Sequence, residues 1–276
     1  MKKILVTTDF SAHSKAAMRF AIQVASQGGA ALTFLHVSHI PRPTTWTETT
    51  YTAHETSELV KKREALNQFV ELMYKSRHVD PGMHTCVVKN SPFTDSTIMG
   101  YAADHAFDYI CISTRGAGTY AKLFGTTTSN LINQSSVPVI AVPGNYRATK
   151  LTTVLYASDL SRLNEVKQVV DFARPLSAAV GLLHFSKLSE PAIDPDIIGM
   201  AVQKQTDYSV AVQLKPRHVV HSLTTDIELT VKAQKPSVLI MFTTQNEGFF
   251  SRLFRSGSSI DYSFLTTVPL LVFSKT

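Results

Sequence analysis

An internal repeat limits the folds open to this chain more than any other feature of its sequence. The segment KKILVTTDFS at residues 2–11 returns as LTTVLYASDLS at residues 151–161. Three more segments recur in the same order: ALTFLHVS at 31–38 with VGLLHFS at 180–186, FDYICIST at 107–114 with PSVLIMFTT at 236–244, and SVPVIAV at 136–142 with TVPLLVF at 267–273. Because ordered matches of this kind indicate a duplicated structural unit, we expect two homologous domains, at residues 1–146 and 147–276.

Within each copy, apolar segments of strand length alternate with segments of helical periodicity. In the first copy the pattern predicts strands at 2–8, 31–37, 84–89, 108–113 and 138–142, and helices at about 11–27, 55–77, 93–106 and 126–135. Apolar strands separated by helices predict a parallel sheet that is covered on both faces. Since right-handed crossovers leave a doubly wound topology, the predicted fold class is α/β, with two tandem doubly wound parallel five-stranded sheets.

The first predicted helix carries clear local signals. Ser11 is predicted to cap its N-terminus, and Gly28 with Gly29 is predicted to end it. Its buried face is predicted to consist of Ala16, Ala17, Phe20, Ala21 and Val24.

A long Thr-rich segment, residues 38–58, follows the second predicted strand and contains the single Trp of the chain, Trp46. The segment predicts a long loop. Loops of this length in compact domains are often lids or binding segments, and a lid and a poorly ordered loop both stay open as interpretations.

Charge and hydropathy argue against several classes of protein. The formal net charge of +6 is spread over both halves, and no run of Lys and Arg carries interleaved aromatic residues, so we expect no nucleic-acid partner. The longest apolar runs have strand length, well short of the roughly 20 residues that span a bilayer, so we expect no membrane partner. The N-terminus meets Asp9 after a short apolar stretch, which predicts a strand instead of a signal peptide, and hence a cytoplasmic protein.

The spacing of cysteines and histidines offers no metal site. Cys86 and Cys111 lie in apolar strand-like segments, and we expect both to be buried free thiols. His36 and His184 recur at strand ends, in LHV and LHF, where a lone histidine is typical of a structural role. We therefore expect no protein-bound metal.

The segment STRGAGTYAKLFGTTTSN, residues 113–130, is the most informative candidate site because it follows the fourth predicted strand. Ligands of doubly wound sheets bind beyond the carboxyl ends of the strands, where the strand order reverses. Its GAGTYA stretch matches a dinucleotide fingerprint, but that fingerprint belongs after the first strand and needs an acid about 20 positions later. No Asp or Glu occurs between Tyr109 and Ser158. The P-loop pattern also fails, since no Lys follows Gly125.

Two interpretations of this segment stay open. In the first it is a split phosphate cradle, in which Gly116 and Gly118 let the backbone approach an anion. Gly125 and the three threonines after it would then open a helix whose free N–H groups favour phosphate, and Arg115 and Lys122 would supply positive charge. In the second it is a solvated loop that ends in a threonine helix cap.

Together these segments resemble the universal stress protein family, with two copies of its domain in one polypeptide. The resemblance is carried by ILVTTDFS, LTFLHVS, STRGAG…LFGTTTSNLI and VPVIAV, with their partners in the second copy. It implies an adenine nucleotide alpha hydrolase-like fold and pairing of the two fifth strands into an intrachain pseudo-dimer; a further homodimer stays open. The nucleotide-binding branch of the family carries G-x2-G-x9-G-[ST] after strand 4, and its members resemble ATP binders without strong turnover.

The resemblance also implies a ligand and its site. ATP or a related adenine nucleotide, with or without Mg²⁺ on its phosphates, would bind the first domain as a regulatory ligand. Asp9 would face the ribose or adenine side, and the backbone of Val37 would meet adenine. Ser113 stands where the first glycine of the pattern belongs, and only eight residues separate Gly116 from Gly125. The predicted site residues are Thr8, Asp9, Val37, Ser113, Arg115, Gly116, Gly118, Gly125, Thr126, Thr127 and Thr128.

The second copy departs from this pattern at the corresponding loop, residues 243–259. Glu247 replaces Arg115, where it would repel phosphate, and Phe249 and Phe250 replace small residues. We therefore expect the second domain to be a degenerate structural or regulatory copy. Two alternatives to a nucleotide-binding stress-response protein stay open: a scaffold that binds no nucleotide or another small ligand, and a slow ATP-hydrolysing or nucleotidyl-transferring enzyme.

Overall fold

The computed structural model describes residues 1–114, 126–186, 194–218, 220–244 and 267–275. Its strands are β1 Lys2–Thr7, β2 Ala30–Ser38, β3 His84–Asn90, β4 Tyr109–Ser113, β5 Val139–Val142, β6 Thr153–Ala157, β7 Ala179–Ser186, β8 Val210–Pro216, β9 Val238–Thr244 and β10 Leu270–Lys275. Its α-helices are α1 Lys15–Gly28, α2 Glu48–Arg77, α3 Thr94–Asp104, α4 Thr126–Gln134, α5 Val166–Ala173, α6 Pro195–Thr206 and α7 Leu223–Gln234. None of the described helices has both the length and the apolar character needed to cross a membrane.

The strands form a single sheet in the order β3-β2-β1-β4-β5-β10-β9-β6-β7-β8. Both halves have the same doubly wound order, and neighbouring strands within a half run parallel. At the centre β5 and β10 run antiparallel, with Ile140 opposite Leu271. These findings confirm the α/β fold class and the intrachain pairing of the fifth strands, which joins the two predicted sheets into one. The domain boundary between residues 146 and 147 stays a prediction.

Helices cover both faces of the sheet and define two apolar cores. On one face, α1, α2, α5 and α6 pack on the strands around fully buried side chains such as Phe20, Leu66 and Tyr156. On the other face, α3, α4 and α7 contribute residues such as Ile98 and Leu131. The inner strands, such as β4 and β5, are buried on both faces, so their sequences are nearly continuous apolar runs, whereas the edge strands β3 and β8 are mostly half-buried or exposed.

Helix α1 follows most of its predicted local signals. Its predicted core positions are all buried: Ala16, Ala17, Phe20, Ala21 and Val24. The helix begins at Lys15 and not at Ser11, because the Ser11 hydroxyl accepts the N–H of Ser14 at 3.1 Å and closes a separate turn before it. It ends as predicted at Gly29, whose φ of 72° lies in the left-handed region that glycine adopts easily.

The prediction of a long loop at residues 38–58 is wrong for the second half of that segment. Helix α2 already begins at Glu48, and the side chain of Thr47 caps it by accepting a backbone N–H of the first turn. The Tyr51 hydroxyl donates to the carbonyl of Ile40 at 3.0 Å, which ties this turn to the chain after β2. Residues 48–58 therefore form the first turns of α2, where no residue is fully buried.

Both cysteines are free thiols, as predicted. Cys111 is buried beneath α1, and Cys86 is half-buried on β3. Burial raises the pKa of Cys86 to about 11 and also raises the pKa of Cys111. Neither thiol is ionised at neutral pH, so neither is a reactive nucleophile.

The side chain of Gln27, at the end of α1, links the two halves of the sheet. Its Nε2 donates to the carbonyls of Leu151 and Leu176, at 2.7 Å each, and its Oε1 accepts the N–H of Leu151 at 3.0 Å. Beside it, Gly28 lies against Pro175 and Leu176, and a Cβ at this position would come within 3.0 Å of Leu176 Cδ2. A single amide thus anchors the start of the second half to the first.

We predict that Gln27→Ala lowers the free energy of unfolding by about 2 kcal/mol, because two buried carbonyls and one N–H lose their partner. Urea unfolding followed by circular dichroism measures this change. The matched control is Gln68→Ala, at an exposed position of α2, which should change the value by less than about 0.5 kcal/mol. Equal stability of the two variants would show that the amide does not hold the halves together.

Candidate functional site

The described residues form a cavity of about 430 Å³ at the carboxyl ends of β1, β2 and β4. The strand order reverses between β1 and β4, which is where doubly wound sheets bind ligands. Seven residues predicted from the sequence line this cavity: Thr8, Asp9, Val37, Ser113, Thr126, Thr127 and Thr128. The other four predicted residues lie outside the described ranges: Arg115, Gly116, Gly118 and Gly125.

Eight more residues, which lie outside the predicted set, also line the cavity. They are Thr7, Ser11, His13, Ser14, Leu35, Thr94, Ile98 and Ile112. Ser11, His13 and Ser14 follow Asp9 closely, so their position after the first strand was a usable signal. Thr94 and Ile98 had no such signal, because α3 reaches the cavity through its packing on β2 and beside α4.

A short turn after β1 positions Asp9 at the cavity. The φ of Phe10 is 63°, in the left-handed region that large side chains rarely adopt. The ring of Phe10 packs against His36, with a centroid distance of 4.5 Å, and against Phe69 at 5.5 Å. The N–H of Phe10 donates to Thr8 Oγ1 at 3.1 Å. These contacts stabilise the unusual backbone conformation and so fix the direction of the neighbouring carboxylate.

The carboxylate of Asp9 is ionised at neutral pH. Burial acts to raise its pKa, but hydrogen bonds from Ser11 and Ser14 together outweigh this effect and leave the pKa of Asp9 below its ordinary value. One of these bonds is donated by the Ser11 N–H to Asp9 Oδ1 at 3.0 Å. Since an ionised carboxylate only accepts hydrogen bonds, Asp9 suits the hydroxyl groups of a sugar and repels a phosphate.

The buried imidazole of His36 supports the same turn from below. Its Nδ1 lies 2.9 Å from the carbonyl oxygen of Thr8, and because a carbonyl only accepts, Nδ1 carries the hydrogen. Burial lowers the pKa of His36, so the ring is neutral at pH 7. In the second half His184 makes the equivalent contact with the carbonyl of Ser158, also at 2.9 Å. The predicted structural role of both histidines is confirmed by this repeated bond.

Helix α4 brings its threonines to the cavity and is held there by α3. Asn130 Nδ2 donates to Asp95 Oδ2 at 2.5 Å, which joins the two helices and lowers the pKa of Asp95. The first turn of α4 carries the hydroxyl groups of Thr126 to Thr128 and no acidic residue. N–H groups in the first turn of a helix lack intrahelical partners and favour anions, so this part of the cavity suits a phosphate.

Ser113, which occupies a glycine position of the expected pattern, bonds to the neighbouring strand. Its Oγ donates to the carbonyl of Val142 at 3.3 Å, and the N–H of Thr114 donates to the same carbonyl at 2.7 Å. Both bonds join the end of β4 to β5, so the cavity lining is attached directly to the central strand pair. In the described ranges, no group of three or more His, Cys, Asp or Glu side chains is arranged to hold a metal ion.

Comparison with known proteins adds a family and a fold. Residues 1–143 match the model of the universal stress protein family. The structure resembles a universal stress protein from Archaeoglobus fulgidus DSM 4304, with a TM-score of 0.71 and 16% identity over 99% of this chain and 98% of that chain. It also resembles a putative universal stress protein from Pseudomonas aeruginosa UCBPP-PA14, with a TM-score of 0.56 and 12% identity over 99% of this chain and 93% of that chain. No curated protein matches the chain.

We predict that the protein loses stability as the pH falls below about 6.5, partly through His36. Because burial lowers the pKa of His36 in the folded chain, its neutral form stabilises the fold above the unfolded pKa. This contribution is lost as the pH falls through the lower folded pKa. His36→Asn keeps an N–H donor for Thr8 and does not titrate, so its urea midpoint should fall less than that of the wild type between about pH 7 and about pH 5.

The control for this measurement is His78→Asn. His78 is exposed and has a φ of 52°, which Asn tolerates, so this variant should keep the pH dependence of the wild type. An identical pH dependence in all three proteins would contradict the assignment to His36.

Proposed function

The chain belongs to the universal stress protein family, and we propose that its first half binds ATP or a related adenine nucleotide as a regulatory ligand. The nucleotide lies in the cavity at the carboxyl ends of β1, β2 and β4. In this proposal the protein is a stress-response module whose two halves respond to nucleotide occupancy of one of them.

The observation that supports this proposal is the convergence of residues from four separate sequence segments on one cavity. Thr8 and Asp9, Val37, Ser113, and the threonines at 126–128 all line it. Its volume of about 430 Å³ falls within the range of roughly 300–1,000 Å³ that is usual for small-molecule and cofactor sites.

Each part of the cavity suits one part of a nucleotide. The ionised carboxylate of Asp9 accepts hydrogen bonds from ribose hydroxyls, and the backbone of Val37 pairs with the edge of adenine. The hydroxyl and N–H groups at residues 126–128 bind phosphate. Arg115 and the glycines at 116, 118 and 125 complete the phosphate site, with or without Mg²⁺ on the phosphates.

We propose that the nucleotide is a ligand and not a substrate that is turned over rapidly. Among the described residues that line the cavity, Asp9 and His13 are the only titratable ones. The lowered pKa of Asp9 makes it a weak base, and effective general bases have pKa values near the working pH. Asp9 is therefore poorly suited to activate water as a general base.

The second half keeps the first loop of the site but differs at the loop after β9. Asp159 accepts the N–H of Ser161 at 2.9 Å, as Asp9 does with Ser11 in the first half. Because Glu247 stands in the second copy where the first copy has Arg115, a phosphate would meet a negative charge there. We therefore propose that the chain binds one nucleotide, in its first half.

We predict that calorimetric titration finds about one ATP per chain, and that Asp9→Ala weakens binding roughly tenfold to a hundredfold, as expected for a hydrogen bond to a charged group. Gly125→Val should weaken binding at least tenfold, because a branched side chain blocks the approach of a phosphate to the backbone. The matched control is Asp159→Ala, the same change in the second copy, which should bind ATP like the wild type.

Absence of binding by the wild-type protein at millimolar ATP would contradict the proposal. Equal losses in Asp9→Ala and Asp159→Ala would contradict a single site in the first half. An ATP turnover assay beside the titration tests the enzyme alternative, which would be favoured by rapid hydrolysis that Asp9→Ala abolishes.

A further inference from the structure

Three arginines gather where α1, the end of α2 and the connection between the halves meet. Arg19 lies in the second turn of α1, Arg77 is the last residue of α2, and Arg147 follows β5 in the segment that leads to β6. None of them lines the cavity described above. They lie on the sheet face that α1 and α2 cover, whereas α3 and α4 border the cavity.

Contacts of neighbouring residues bring these arginines together. Arg77 Nη2 donates to Gln23 Oε1 at 2.7 Å, and Gln23 lies one turn beyond Arg19 on the same face of α1. The ring of Tyr146 packs edge-on against Phe20, with a centroid distance of 5.5 Å, which places the next residue, Arg147, beside α1.

The charges of this cluster are not balanced by acids. Burial lowers the pKa of Arg19, and the charges of Arg147 and Arg77 lower it further, with no carboxylate acting in the opposite direction. In the part of the chain that the structure describes, none of the three arginines forms an ion pair. Three like charges held close together are unfavourable unless an anion joins them.

Two buried donors in the same place also lack a hydrogen-bond partner. Arg77 Nε and the Tyr146 hydroxyl are buried and make no hydrogen bond. The side chain of Tyr146 as a whole is only 8% exposed. Burial raises the pKa of Tyr146, and the backbone and side chain of Thr149 together with the charge of Arg77 act in the opposite direction. Buried polar groups in folded proteins nearly always have partners, so an acceptor is missing here.

We propose that this arginine cluster binds a phosphate-bearing anion at the junction of the two halves. A phosphate group offers a charge near −2 and three acceptor oxygens, which match three guanidinium forks better than the single charge of a carboxylate does. The Tyr146 hydroxyl and Arg77 Nε are the further donors that this anion satisfies. Since Arg147 belongs to the connection between the halves, the bound anion fastens that connection to α1 and α2.

Calorimetric titration with pyrophosphate at low ionic strength tests this site. Arg147→Gln removes one exposed guanidinium without disturbing the core and should weaken binding at least tenfold. The matched control is Arg63→Gln, which removes an exposed arginine of α2 that lies about 21 Å from Arg77 along the helix axis, and it should bind like the wild type.

Pyrophosphate could also bind in the nucleotide cavity, and the Gly125→Val variant distinguishes that binding from binding at the arginine cluster. Undiminished binding by Gly125→Val supports the arginine site. Binding that is lost in Gly125→Val but kept in Arg147→Gln would overturn it, as would the absence of wild-type binding at millimolar pyrophosphate.

Thermal unfolding of Tyr146→Phe gives a second readout, which a purely structural role would not produce. Without pyrophosphate this variant should melt at or above the wild-type temperature, because it removes an unsatisfied buried hydroxyl. With pyrophosphate near the wild-type Kd, its upward shift in Tm should be at most half that of the wild type, since stabilisation by a ligand falls as its Kd rises. Equal Tm shifts in Tyr146→Phe and the wild type would show that the Tyr146 hydroxyl does not contact the anion. Equal Tm shifts in Arg147→Gln and the wild type would contradict the proposed site.

Discussion

The antiparallel pairing of β5 with β10 is the contact on which the rest of the architecture depends. Each strand is short and apolar, with both faces buried under helices, and each would leave an unpaired apolar edge if its half stood alone. Such edges are prone to pair with other chains. Pairing within the chain removes both edges at once, turns two five-stranded halves into one sheet, and fixes how the halves face each other.

The same central strands connect the junction of the halves to the cavity. The carbonyl of Val142, at the end of β5, accepts bonds from Ser113 and Thr114 at the cavity, and α4 leads from the cavity back into β5. A ligand that orders the first turn of α4 therefore acts on a segment only a few residues from the central pair. On the other side of the sheet, Gln27 joins α1 to the start of the second half, and the anion proposed for the arginine cluster would fasten the connection to α1 and α2. The proposed nucleotide in the cavity and the proposed anion at the arginine cluster would thus both act on the junction between the two halves.

Agreement between sequence and structure depends on how local the relevant signal is. The buried face of α1 and the five strands of the first half follow from periodicity and apolar run length, which depend on near neighbours in the chain. The start of α2 does not follow from them, because its first turns are polar and are held by Tyr51 bonding to Ile40. Ser11 likewise has the residue type of a helix cap, but it caps a separate turn that the contact between Thr8 and Ser14 stabilises.

The sequence by itself determined the duplicated α/β unit, the pairing of the fifth strands through family resemblance, and the residues at strand ends that share one cavity. These features follow because strand ends in a parallel sheet must meet at one edge. Only the tertiary structure decided that α3 borders the cavity and that Gln27 anchors Leu151. It also decided that the charges of Arg77 and Arg147 act on Arg19. Contacts between residues so far apart in the chain depend on how whole elements pack, which no local pattern of residues encodes.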